Sequence, residues 1–97
     1  MIYKRTIYKR TIYKYILLQT DVQTLSIPGF QKALDVQVQK GSPCLWAVVN
    51  ADNPDVLVEV RIIGTGCRFD DVCNDDYVGT FQMFGGDLVN HVFCKIQ

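Results

Sequence analysis

The sequence predicts an all-β domain: a single antiparallel β-meander of six to seven strands forming a small barrel or sandwich, with a basic N-terminal arm. Three observations carry that expectation. Short runs of β-branched and aromatic residues recur along the chain, separated by Gly-, Pro- and Asn-rich breaks. No window of a dozen residues holds a 3.6-residue apolar period. The length of 97 residues fits one compact domain, which at this size buries roughly two-thirds of its unfolded surface and so has one modest core.

The chain opens on a pentad, Ile2-Tyr3-Lys4-Arg5-Thr6, repeated at 7–11 and begun again at Ile12-Tyr13-Lys14. A period of five suits neither regular element. On a strand it sends Ile2 and Ile7 to opposite faces, and on a helix it drifts off any common stripe. Tandem duplication of a short coding segment accounts for it better than selection for a buried face. Residues 1–10 are therefore read as an arm, flexible or an added edge strand, and 11–97 as the β domain. Its first strand runs from the last copy into Tyr15-Ile16-Leu17-Leu18.

Val22 to Ile27 is short and mixed, and Pro28-Gly29 marks a turn. Residues 30–34 could hold one helical turn at most. Leu34, Val36 and Val38 alternate with Asp35, Gln37 and Gln39, as in a strand with one wet face. Cys44 to Val49 is apolar at both parities and reads as a central strand covered on both sides. Asn50 to Asp55 is a loop. Val56, Val58, Val60 and Ile62 form the next alternating run, ended by Gly64-Thr65-Gly66. Residues 67–76 are the longest polar stretch. Tyr77 to Met83 and Leu88 to Ile96 then make a hairpin around Gly85-Gly86, a pair able to take positive φ.

The formal net charge of zero hides an asymmetry. Residues 1–14 carry five basic residues and no acid, while 15–97 carry five basic residues against ten acidic ones, a net of −5. A basic arm is joined to an acidic domain. No run of about 18 apolar residues is present, so no membrane span is expected. The basic N-terminus lacks the apolar core of a signal peptide. A reducing cytosol and free thiols are therefore expected for Cys44, Cys67, Cys73 and Cys94.

Four segments resemble a family of short phage and prophage proteins grouped as a domain of unknown function. They are Thr11-Ile12-Tyr13-Lys14-Tyr15; Val36-Gln37-Val38-Gln39 with Gly41 and Pro43-Cys44-Leu45-Trp46-Ala47; Ile63-Gly64-Thr65-Gly66; and Tyr77-Val78-Gly79-Thr80-Phe81-Gln82 through Gly86, Leu88-Val89 and His91-Val92-Phe93. The resemblance covers about residues 11–93, in order. It implies a phage origin and expression in the host (bacterial) cytoplasm, and it brings no assigned activity. Members of that family carry a His-Pro pair after Gly-Thr-Gly, where this chain has Cys67-Arg68, and they begin close to the Ile-Tyr-Lys-Tyr segment.

Each candidate site also has a plain structural reading. Cys67, Cys73, His91 and Cys94 are ligand types that suit zinc. Five residues separate the first two, however, and His91 and Cys94 sit three apart on a strand, which points them to opposite faces. Cys44 and Cys94 read better as small core residues, and neither a metal nor a cofactor is expected. A Cys–His nucleophile would need His91 beside Cys67 or Cys73, with a carboxylate such as Asp70, Asp71 or Asp87 to orient it. The chain has one histidine and no P-loop, nucleophile-elbow or metalloprotease motif, so no enzymatic activity is expected. The acidic pairs Asp70-Asp71 and Asp75-Asp76 read as solvated loop residues.

Gly64-Thr65-Gly66 and Gly79-Thr80 offer N–H groups and hydroxyls to a phosphate or small nucleotide. No helix follows them, and a β-bulge or tight strand exit is the plainer reading. The candidate ligand- or partner-binding set is Trp46, Gly64, Thr65, Gly66, Asp70, Asp71, Tyr77, Thr80, Phe81 and His91. In the arm, Tyr3, Lys4, Arg5, Tyr8, Lys9 and Arg10 combine charge for phosphates with rings for stacking. The acidic domain would repel the same polyanion, which favours a tail, a guarded edge strand, or docking onto its own domain or a second copy.

The function expected from these readings is a non-enzymatic, phage-encoded small binding protein. It would inhibit host antiviral defence by binding a defence protein or by sequestering a nucleotide signal. The alternative is an accessory protein that binds nucleic acid through the arm. A homo-oligomer is compatible with either.

Overall fold

A computed structural model describes residues 8–70 and 76–97. Seven strands form: β1 (Thr11–Ile16), β2 (Val22–Pro28), β3 (Phe30–Gln39), β4 (Ser42–Val49), β5 (Asp55–Gly64), β6 (Tyr77–Met83) and β7 (Leu88–Ile96). They make two antiparallel sheets, one ordered β1-β4-β3 and the other β2-β5-β7-β6. The all-β expectation holds, and the architecture is the sandwich; the sheets do not close into a barrel. Meander order holds only for the β3–β4 and β6–β7 hairpins. The chain crosses between sheets from β1 to β2, β2 to β3 and β4 to β5, while β5 and β6 lie in one sheet with β7 between them. Both sheets turn an apolar face to a shared core.

The sharpest crossing is at Gly29, where β2 of one sheet gives way to β3 of the other. Gly29 has φ +50. Its N–H donates to Pro54 O at 2.9 Å, and its carbonyl accepts from Asn50 N–H at 3.0 Å. A Cβ here would run into the Asn50 carbonyl oxygen, so only glycine lets the chain turn this corner.

The core is built by parity. Pro43, Leu45, Ala47 and Val49 of β4 face inward and are buried, opposite Val58, Val60 and Ile62 of β5 and Val92 and Cys94 of β7. Ile27, Val36, Phe81 and Leu17 complete it. β4 is the central strand of its sheet, as its composition suggested, and Cys44 on its other face is also buried.

The segment 30–34 is strand throughout and contains no helical turn. The β3–β4 register shifts between Phe30 and Lys32 and again between Ala33 and Asp35, leaving Gln31 and Leu34 as extra residues. These bulges space the inward residues at 30, 33, 36 and 38, which imitates a helical period. They also leave Leu34 exposed, although it alternates with Val36 in sequence.

A matching shift between Tyr77 and Gly79 in β6 leaves Val78 extra. At this side of the sandwich the edge strands β3 and β6 meet. A Cβ on Gly79 would lie 3.1 Å from Val36 Cγ1 and 3.2 Å from Asp35 Oδ1, so glycine permits the close approach. The β6–β7 connection is a short 3-10 turn, Phe84–Gly86, with Phe84, Gly85 and Gly86 all at positive φ.

Candidate functional site

The sequence-predicted residues converge on the outer face of the four-stranded sheet. Alternation places Thr80 of β6 and His91 of β7 directly opposite each other, both facing away from the core. Ile63 of β5 is the neighbour of His91 on its other side. Beyond β5, Gly64 to Cys67 forms a tight turn closed by Cys67 N–H donating to Gly64 O at 3.0 Å, with Gly66 at φ +87 in the position that needs it. Thr65 N–H donates to Val89 O at 3.0 Å, which holds this turn beside β7.

His91 is the centre of a hydrogen-bonded chain. Its Nε2 lies 2.7 Å from Thr65 Oγ1, and its Nδ1 lies 2.8 Å from Thr80 Oγ1. Tyr77 OH lies 2.7 Å from Thr80 Oγ1, and the Thr65 hydroxyl donates to Val89 O at 3.3 Å. Proton inventory orients the whole chain. Val89 O can only accept, so Thr65 gives its proton there and must receive one from His91 Nε2–H. A neutral ring then accepts at Nδ1 from the Thr80 hydroxyl, and Thr80 accepts from Tyr77 O–H. In a protonated ring both nitrogens donate, which turns Thr80 round to donate to the Tyr77 oxygen. Either way the five groups form one connected unit spanning β6, β7 and the turn after β5.

An aromatic wall flanks this unit. The Tyr77 and Phe93 rings pack edge to face with centroids 5.5 Å apart, and Phe69 tilts against Phe93 at 6.2 Å. Ile63, Gly64, Cys67, Phe69, Tyr77, His91 and Phe93 line a depression of about 260 Å³. A second depression of about 290 Å³ shares Ile63, Gly64, Cys67 and Phe69, and it is rimmed by Arg61, Arg68, Asp21 and Asp70. Arg61 is partly committed to Glu59, its Nε donating to Oε1 at 3.1 Å.

Of the predicted set, the structure brings together Gly64, Thr65, Gly66, Tyr77, Thr80 and His91. Asp70 rims the adjoining depression. Phe81 is one residue off parity and faces the core. Trp46 lies on the other sheet, facing outward between Lys14 and Asp35. Asp71, and Tyr3, Lys4 and Arg5 of the arm, lie outside the described residues, as does Cys73; Tyr8, Lys9 and Arg10 are exposed. Sequence reasoning passed over Phe69 and Phe93. The alternation of Phe93 with His91 across Val92 was the available signal for one of them, whereas Phe69 sits in a loop that carries no periodicity.

Chemically the site is suited to holding a molecule. Both nitrogens of His91 are engaged by threonine hydroxyls, and among the described residues no thiol or carboxylate is a hydrogen-bond partner of either. Cys67 is an exposed free thiol on the rim. Cys94 points the other way, into the core, where burial first and Asp76 second push its thiol up to about 11. His91 and Cys94 therefore cannot share a ligand. Among the described residues no group of three or more His, Cys, Asp or Glu side chains is placed to hold a metal ion. Among the same residues no helix is long and apolar enough to cross a membrane.

No curated protein and no solved structure matches the chain. Residues 8–97 match a family description, and they start within the second pentad copy and include every described residue of the His91 site. The chain belongs to the family described as Domain of unknown function (DUF7352).

Proposed function

We propose that this chain is a small phage-encoded binding protein, active in the host cytoplasm, that takes a nucleotide signal into the outer-face site and so blunts host antiviral defence. The observation that carries the reading is the pairing of a ring wall with a hydroxyl–imidazole chain in one depression. Phe69, Phe93 and Tyr77 offer faces and edges to a base, while beside them the Thr65, Thr80 and Tyr77 oxygens, whose protons are committed within the chain, keep lone pairs that can accept from its amino groups. Arg68 and Arg61 offer guanidinium donors to a phosphate on the adjoining rim, against the carboxylates of Asp21 and Asp70 there and of Glu59 on Arg61. The phage origin rests on the sequence resemblance, and the absence of turnover on a histidine whose two nitrogens are already partnered.

The test is a thermal-shift screen against cyclic mono-, di- and trinucleotides. A ligand held at a concentration a hundred times its dissociation constant stabilises the fold by about 2.7 kcal/mol, a shift of several degrees for a domain of this size. His91→Ala should abolish that shift. A flat response across the panel, together with no effect of the expressed protein on plaque formation in defence-bearing hosts, defeats the proposal.

A further inference from the structure

We infer that the β1 edge is a self-complementary dimerisation strand, which pairs antiparallel with β1 of a second copy to join the two three-stranded sheets into one of six. The inference is independent of the outer-face site, which lies on the other sheet.

The sandwich has four edge strands, and three are covered or guarded. β3 and β6 close on each other at the Gly79 approach to Val36. β2 is guarded in part. Ile62 N–H donates to Asp21 O at 3.0 Å, so its even-numbered residues face outward. There Pro28 has no N–H to offer, the Thr20 hydroxyl donates to Val22 O at 3.2 Å, and Thr24 and Ser26 carry polar side chains. β1 differs. Leu17 N–H donates to Pro43 O at 2.9 Å, which fixes the phase of the ladder: odd-numbered residues of β1 bond to β4. The N–H and C=O groups of Ile12, Lys14 and Ile16 therefore point to the outer edge. The next position in that series, Leu18, shows what the edge requires. There the Gln23 side chain stands in for a strand, accepting from Leu18 N–H at 3.0 Å and donating to Leu18 O at 2.7 Å. Among the described residues nothing does the same for Ile12, Lys14 or Ile16.

Side chains select the occupant. Ile12 and Ile16 are 57% and 64% exposed on the outer face, and Tyr13 stands 39% exposed on the inner one. An antiparallel pair centred on Lys14 sets Ile12 against Ile16 of the second copy, Tyr13 against Tyr15, and Ile16 against Ile12. Apolar meets apolar at every position but the centre, and all three open residues bond. A pair centred one residue earlier, on Tyr13, would set Ile12 against Lys14 and leave Ile16 outside the paired strand. The central lysine is the residue that ordinarily guards an edge. Here Lys14 Nζ leans back across β4 to donate to Gln39 Oε1 on β3 at 3.1 Å, away from the axis. An isologous contact of this kind closes at two copies.

Analytical ultracentrifugation of the full chain over a wide concentration range is the primary test, with a species of twice the 11.1 kDa chain mass expected. Lys14→Pro removes an N–H that β4 does not use, and it should raise the dissociation constant at least tenfold while circular dichroism keeps the β signature. Ile12→Lys and Ile16→Glu chains should each be monomeric alone and should dimerise when mixed, since Lys14-centred pairing sets those positions against each other. A wild-type chain that stays monomeric at every concentration overturns the inference. So does a dimer that survives Lys14→Pro, or one lost only on deletion of residues 2–10, which would place the contact in the arm.

Discussion

The two outer faces of this sandwich solve opposite problems with the same alternation. On the four-stranded sheet, outward positions carry Thr80, His91 and Tyr77, which hydrogen-bond to one another and to the Thr65 turn. Polarity there is satisfied, and the residues after β5 add Phe69 to make a concave surface. On the three-stranded sheet, outward positions carry Ile12, Ile16, Trp46 and Val48, and the β1 backbone beside them points unpaired into solvent. Among the described residues nothing folds over it. A built, self-satisfied depression is what a small ligand needs, because preformed geometry lowers the ordering cost of binding. A flat apolar strip with an open ladder is what a second strand needs. The lesson is that burial alone would have ranked both faces as ordinary surface, and hydrogen-bond completion separates them.

The largest effect should come from breaking the corner that joins the two sheets. Gly29→Ala imposes left-handed backbone on an L side chain, at about 1–2 kcal/mol. It also drives a methyl group into the Asn50 carbonyl, and overpacking of that kind costs about 1–3 kcal/mol. Urea unfolding should show a loss on the order of 3 kcal/mol, with both faces weakened together. Gly79→Val should come next. It wedges the β3–β6 seam, where the neighbours already stand within 3.2 Å of a Cβ position, and should cost about 1–3 kcal/mol while β1 pairing persists.

His91→Ala separates the faces. It removes the shared partner of Thr65 and Thr80, but these hydroxyls are exposed and water replaces the ring, so stability should fall by only about 1 kcal/mol. Ligand response should disappear while the dimer remains. Tyr77→Phe is milder still, since it removes one terminal hydroxyl and keeps the ring packed on Phe93. Dimer dissociation and ligand response should therefore respond to different substitutions. If His91→Ala dissolved the dimer, the two faces would be coupled and the separation drawn here would be wrong.

Much of this was legible from residue order. β5 and β7 announced themselves by alternation, β4 by a run apolar at both parities and β6 by its place before the Gly85-Gly86 turn, although a bulge at Val78 interrupts its period. The Gly64–Gly66 exit and the Gly85-Gly86 turn follow from glycine's access to positive φ. β3 was obscured at its start because two bulges replace the period of two with a period of three. Sheet order was not legible, since alternation says which way a side chain points and nothing about which sheet receives it. Trp46 and His91 illustrate the point. Both sit outward on their strands, and only the crossing at Gly29 and the return through Asn50–Pro54 put them on different sheets. The β1 edge needed the ladder phase, which one hydrogen bond from Leu17 supplies and no composition does.

The last effect concerns alkaline pH, and it tests the core that both faces share. Burial raises the Cys94 thiol from 9.0 to about 11, and burial together with Tyr13 and Asp55 raises the Tyr15 hydroxyl above its usual 10.0. Both groups are neutral when protonated and hold their proton more tightly folded than unfolded. Between the unfolded and folded pKa the unfolded chain thus binds fewer protons, and stability falls as pH rises. Below pH 9 the contribution is fully present. From about 9 to about 11 it declines for Cys94, with Tyr15 following at higher pH. Cys94→Ala, measured by thermal melting at pH 8 and pH 10.5, should flatten that decline and leave the ligand response at pH 8 unchanged. An unaltered decline in the Cys94 variant would assign the alkaline loss to Tyr15 alone, and so to the β1 side of the core.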